Sequence, residues 1–173
     1  MIIGFDIGNT STTAALYRDD SIIPEYTFRF PTVKDTGPSE LLDQVQDGLR
    51  RLGAGIETYM IEGCAFSSVV PEVNRAYHDM ATRGLRVPAH EITCDSVLNF
   101  TIRYDEPRQL GVDRIVNAAA VFREYGGGAI VVDIGTAVTF CVLLEGNVFD
   151  GGIIAPGIDT AISSLSLRAS QLP

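Results

Sequence analysis

Eight residues near the start of the chain, Asp6-Ile7-Gly8-Asn9-Thr10-Ser11-Thr12-Thr13, return in altered form as Asp133-Ile134-Gly135-Thr136-Ala137-Val138-Thr139-Phe140. Asp, Ile, Gly and the later Thr coincide. Each copy follows an apolar, β-prone run and precedes another. A strand–turn–strand used twice, with Asp at each turn, predicts a duplicated domain whose two turns face each other across a cleft. The spacing also sets the boundaries. The copies lie 133 − 6 = 127 residues apart, and 173 − 133 = 40 residues follow the second Asp. We therefore expect a first domain over 1–127 and the start of a second over 128–173. The second is incomplete, and the chain reads as part of a longer protein.

The remaining pattern is α/β. Residues 1–7, 10–17 and 22–30 read as three strands, with turns at 8–9 and 18–21. Residues 39–52 read as an amphipathic helix with Leu41, Leu42, Val45 and Leu49 on one face and Gly53 as its stop. Residues 60–70 are strand-like up to Pro71, 72–83 helical, and 85–101 hold short strands. Residues 112–125 form an Ala-rich helix ended by three glycines. Strands follow at 129–134, 138–144 and 147–154, then a helix over 156–170. Strands interleaved with helices define the class.

Composition matters here for what it removes. There are 22 acidic and 13 basic residues, a net charge of −9. That balance argues against a nucleic-acid or anionic-membrane surface. Lys34 is the one lysine and has no glycine-rich run before it, which excludes a Walker A loop and nearly excludes Schiff-base chemistry. Cys64, Cys94 and Cys141 are spaced singly among apolar neighbours, which reads as reduced, buried thiols of a cytoplasmic protein. His78 and His90 are too far apart for a helical metal pair and read as structural or surface residues. The first residues read as a strand and not as a signal peptide, and no apolar run approaches the ~20 residues of a membrane span.

Three constellations carry candidate chemistry. A turn containing Gly8 lets backbone N–H groups approach an anion, and Asn9 to Thr13 add neutral donors. Asp6 would reach a phosphate only through a hard cation such as Mg²⁺. The plainer alternative is a tight, Thr-rich hairpin. Gly111-Val112-Asp113-Arg114 opens the Ala-rich helix. Asp113 is either an N-cap or a base kept anionic by the helix N-terminus, and Arg114 suits an acidic substrate. Gly151-Gly152-Ile153-Ile154-Ala155-Pro156-Gly157 is a glycine-rich turn that could bring backbone near a nucleotide.

Taken in order with Ser67-Ser68-Val69-Val70-Pro71 and the final Leu172-Pro173, these motifs make the chain resemble the type III pantothenate kinases of the acetate and sugar kinase/Hsp70/actin superfamily. The resemblance implies a duplicated ribonuclease-H-like (actin-like ATPase) fold, and ATP-dependent phosphorylation of the primary hydroxyl of pantothenate at the start of coenzyme A synthesis. It implies a cytoplasmic homodimer using Mg²⁺ and a monovalent cation, K⁺ or NH₄⁺. By motif, Asp6, Ile7, Gly8, Asn9, Thr10, Ser11, Thr12 and Thr13 would hold ATP phosphates and metal, with Thr136 also on ATP. Asp133 would bind the monovalent cation. Gly111, Val112, Asp113 and Arg114 would bind pantothenate together with Tyr104, and Asp113 would accept the proton. Alternatives on the same scaffold are a non-enzymatic regulator of gene expression or a kinase for another small molecule.

Overall fold

The computed structural model describes residues 1–18, 21–53, 55 and 57–168. Its packing divides into two units, Met1–Thr93 and a second from Cys94 onward. The expected division at 127/128 falls inside the second unit. The physical reason is that residues 94–127 bury their apolar side chains, Phe100, Leu110, Ile115, Ala118 and Phe122, in one core with Cys141, Leu143 and Phe149.

In the first unit the strands β1 (Ile2–Ile7) and β2 (Ser11–Tyr17) form the expected hairpin. β3 (Tyr26–Pro31) adds antiparallel to β2, starting later than the sequence pattern suggested. Helix α1 (Pro38–Leu52) follows and ends at Gly53, whose φ of 64° is the left-handed conformation glycine takes most readily. At its start the Gly37 N–H donates to the Glu40 carboxylate, 3.1 Å away, which satisfies one of the end donors. β4 (Gly63–Ser68) pairs parallel to β1, and β5 (Ala89–Glu91) pairs parallel to β4. Between them α2 (Pro71–Asp79) runs on as a π-helical turn, Met80–Leu85. The sheet order is β3-β2-β1-β4-β5.

One face of this sheet is covered. Ile3, Phe5 and Ile7 of β1 pack with Leu41, Val45 and Leu49 of α1 and with Val73 and Tyr77 of α2. The buried Tyr77 hydroxyl lies 3.0 Å from the Thr12 hydroxyl. Burial pushes the Tyr77 hydroxyl up to about 12, against a lowering from its bond to Thr12, and burial alone pushes the Cys64 thiol up to about 12. The unfolded chain ionises these groups near 10.0 and 9.0. Their stabilising contribution is therefore complete below about pH 9 and is lost as pH rises toward 12. The first unit is expected to unfold in that alkaline window, with tyrosinate absorbance and loss of circular dichroism rising together. Ionisation of Tyr77 at its ordinary value with the fold intact would contradict this.

The second unit holds the short β6 (Thr101–Ile102), α3 (Val112–Tyr125), β7 (Ala129–Ile134), β8 (Ala137–Leu144), β9 (Val148–Pro156) and α4 (Ile158–Arg168). Positions 169 and 170 of the expected last helix lie outside the described residues, as do Leu172 and Pro173. The sheet order is β6-β9-β8-β7. The two hairpins, β1–β2 and β7–β8, lie in separate sheets, and each continues into an antiparallel third strand. That is the duplication the echo predicted.

The two copies differ in which face is covered. Counting from the shared Asp, Ile3, Phe5 and Ile7 correspond to Ile130, Val132 and Ile134. The first three are at most 3% exposed, whereas Ile130, Val132 and Ile134 are 67%, 49% and 66% exposed. In the second unit α3 packs on the opposite face, the one that carries Asp133. Among the described residues no helix is long and apolar enough to cross a membrane. Cys64 and Cys141 are buried, as expected, but Cys94 is only half-buried.

Candidate active site

The first hairpin closes tightly because the Gly8 N–H donates to the Ser11 carbonyl, 3.1 Å away. This leaves Asn9 and Thr10 as the exposed tip. Gly8 therefore contributes a tight closure rather than an N–H directed at a ligand. Thr12 corrects a second expectation. It is fully buried, and its hydroxyl lies 3.0 Å from both Thr32 Oγ1 and Tyr77 OH. Residues alternate between faces along a strand, so Thr12 points into the core with Ile7 while Thr13 shares the face of Asp6, its cross-strand partner. The Thr12 side chain is structural.

Asp6 sits at the C-terminal end of β1 and is exposed. Ser67, directly beside it on the parallel strand β4, donates its hydroxyl to Asp6 Oδ1 at 3.2 Å. Arg29 on β3 reaches the same turn, its Nε donating to Ser11 Oγ at 2.8 Å. Sequence reading missed Arg29 because its proximity depends on the β2–β3 register, in which it stands opposite Thr13.

In the second hairpin the turn is one residue shorter. The Gly135 N–H donates to the Ala137 carbonyl at 2.9 Å, with Thr136 alone at the tip. The shift changes which threonines match. Asp133 pairs with Thr139 and Asp6 with Thr13, so Thr139 is the spatial counterpart of Thr13, not of Thr12. The Thr136 carbonyl accepts from the Gly157 N–H at 3.0 Å and from the Thr160 hydroxyl at 2.9 Å. The start of α4 thus straps this turn in place.

Helix α3 supplies the third group. Its N-cap is Gly111, and Asp113 stands one position inside the first residue. The N-cap alternative for Asp113 is thereby removed. Its carboxylate is half-buried and packs so close over Gly111 that a Cβ there would collide with Oδ1. Glycine at 111 is what lets the carboxylate sit at the helix entrance. Four residues on, on the same helix face, Asn117 donates its amide to Asp133 Oδ2 at 3.1 Å. The structure therefore brings Asp113 and Asp133 onto one assembly, α3 against β7, linked by Asn117. Sequence reading did not single out Asn117; its only signal was the i,i+4 spacing from Asp113.

Arg114, expected to meet a substrate, lies on the buried face of α3, 3% exposed. Its Nε donates to Cys141 Sγ at 3.1 Å, and its guanidinium carbon lies 5.6 Å from the centre of the Phe149 ring. Tyr104 is partly exposed, with its ring alongside Gly151. The adjacent Gly152 lies against Arg114. Tyr104, Gly151, Gly152 and Arg114 thus form a contiguous set.

Among the described residues no group of three or more His, Cys, Asp or Glu side chains could by itself hold a metal ion. Asp6 and Asp133 each offer hard carboxylate oxygen, and Mg²⁺ characteristically takes one or two carboxylates and completes its shell from substrate phosphates and water. Each carboxylate, within its own unit, suits a cation that completes its shell from a phosphate ligand.

Comparison with known proteins gives one consistent family. The family described as type III pantothenate kinase matches residues 2–173. The chain is similar to the type III pantothenate kinase of Halalkalibacterium halodurans, with 36% identity over 173 residues, covering all of this chain and 66% of that protein. It is similar to that of Listeria innocua, again at 36%, covering 65% of that protein. The chain thus spans about two thirds of the length of the curated relatives it matches. Among solved structures, a Campylobacter jejuni protein named as a Baf family transcriptional activator aligns over 99% of this chain and 62% of its own, with a TM-score of 0.58 and 19% identity. An Aquifex aeolicus Ppx/GppA phosphatase aligns over 95% and 55%, with a TM-score of 0.53 and 17% identity. These structural likenesses establish the actin-like ATPase fold.

Proposed function

The chain belongs to the type III pantothenate kinase family, and from that premise we propose that it carries the nucleotide and acceptor machinery for transferring the γ-phosphoryl group of ATP to the primary hydroxyl of pantothenate. The observation that carries this reading is that α3 holds the Asp113 carboxylate at its entrance and, one turn on, holds Asp133 of the duplicated hairpin through Asn117.

Phosphoryl transfer has a loose transition state, so positioning and charge neutralisation do most of the work. Asp113 accepts the hydroxyl proton as the pantothenate oxygen bonds to phosphorus and the bond to ADP breaks. That carboxylate stands in the first turn of α3, the end of a helix at which negative charge is favoured. The exposed tip of the first hairpin, Asn9 and Thr10, with Ser11 and Thr13, faces the phosphates, and Arg29 adds the positive charge a lysine supplies in other kinases. The backbone of Ile7, Gly8 and Thr12 shapes that turn. Thr136 contacts the nucleotide from the second hairpin. Asp6, steadied by Ser67, would hold Mg²⁺ together with phosphate oxygens, and Asp133 would hold K⁺ or NH₄⁺. Bound cations supply charge neutralisation at the phosphates. Tyr104, Gly111, Val112 and Arg114 take the pantothenate. The protein works as a homodimer in the cytoplasm.

The test is calorimetric and enzymatic. ATP binding should require a divalent cation and weaken sharply in Asp6→Asn. Phosphopantothenate should form from pantothenate and ATP only with a monovalent cation present. Equal ATP affinity for Asp6→Asn with and without Mg²⁺ would reduce Asp6 to a turn residue. A well-folded protein with no turnover under any cation combination would favour a regulatory role.

A further inference from the structure

Arg114 is the least comfortable group in the second unit. A buried guanidinium ordinarily pairs with a carboxylate, because an unpaired buried charge is costly. Here the side chain is 3% exposed, Nε donates to a thiol sulfur, and Nη2 is buried with no hydrogen-bond partner among the described residues. A thiol is a weak acceptor, so this contact does not neutralise the charge. It does aim it. Guanidinium donors lie in one rigid plane, so fixing Nε on Cys141 and stacking the group near Phe149 sets the direction of Nη2.

Two further features fit an aimed, waiting donor. Cys141 stands directly opposite Gly152 in the β8–β9 register. A Cβ at Gly152 would lie 2.7 Å from Arg114 Nη2 and would collide with the Phe140 carbonyl. The strand is thus bare of side chain where Nη2 arrives. Beside it, Gly151 carries the ring of Tyr104.

We propose that Cys141 is a positioning residue: its sulfur holds the Arg114 guanidinium so that Nη2 presents to the carboxylate of the acceptor substrate. This rests on the pantothenate reading above. Cys141 itself touches no substrate and undergoes no chemistry. Its contribution is selectivity for an acidic over a neutral acceptor, since the group it aims is a charge.

The experiment compares Cys141→Ala, which removes the acceptor, with Cys141→Ser, which keeps one. Pantothenate is set against pantothenol, its neutral counterpart in which a hydroxymethyl group replaces the carboxylate. In Cys141→Ala, pantothenate affinity should fall about tenfold by calorimetry, with KM rising in step and kcat within about twofold. Pantothenol affinity should stay within about twofold. Cys141→Ser should recover most of the loss. Equal loss for both ligands, or no loss for either, would overturn the proposal. The Arg114 Nε–H resonance gives a readout free of that reading: it should shift and exchange faster with solvent in Cys141→Ala and be restored in Cys141→Ser. An unchanged resonance in Cys141→Ala overturns the positioning role whatever the substrate. A resonance that shifts in Cys141→Ala, beside a wild-type protein that binds no pantothenate, would reject the substrate reading and the carboxylate selectivity built on it, while leaving Cys141 as the residue that fixes Arg114.

Discussion

Replacing Asp113 with Asn should lower turnover by about 10²–10⁴-fold, the usual worth of a general base, while the melting temperature falls only slightly. The structure sharpens this expectation. Because Gly111 and not Asp113 caps α3, the substitution removes no cap. It removes one negative charge from the first helical turn, which costs about 0.3–1 kcal/mol at most. Shape and packing over Gly111 are kept, so pantothenate binding should change far less than kcat. Steady-state kinetics beside thermal melting decides the matter. Near-normal kcat at an unchanged melting temperature would reject the base. Gly111→Ala should give a related defect by a different route, since its new methyl would displace the Asp113 carboxylate.

The second large effect is a contrast between equivalent positions. Ile7→Ala should destabilise the first unit by about 2–5 kcal/mol, the range for emptying a packed core site. Ile134→Ala, at the matching place in the second hairpin, should cost under about 0.5 kcal/mol, as exposed sites do. Ile7 is 1% exposed and Ile134 66%. Hydrogen exchange resolved by unit reads both. Comparable losses at the two positions would show that the face bearing Ile134 is buried in solution.

Much of this architecture was legible in the sequence, because alternation and helical periodicity report directly on burial. Residues 112–125 and 129–134 were bounded as the structure has them, and both hairpins were located from one repeated tetrad. What sequence could not supply was register. The one-residue difference between the turns changes which threonine faces each aspartate, so the linear match of Thr12 with Thr139 failed in space. The same limit hid Asn117 and Arg29, whose roles exist only once α3 lies on β7 and β3 pairs with β2. The burial of Arg114 was hidden for another reason. A charge at a helix start normally faces water, and only the small Gly152 and the soft Cys141 make room for it inside.

The two sheets are loaded from opposite sides, and the consequence is mechanical. In the first unit the helices bear on the back of β1, away from Asp6. In the second, α3 bears on the side that holds Asp133 and is pinned to it through Asn117. From Asp113 to Asn117 is one turn of helix, about 6 Å of nearly inextensible rod. Any push on the entrance of α3 therefore travels to Asp133 with little slack. The duplication yields one carboxylate that a ligand can approach without moving a helix, and one that acts as a gauge of where its helix stands.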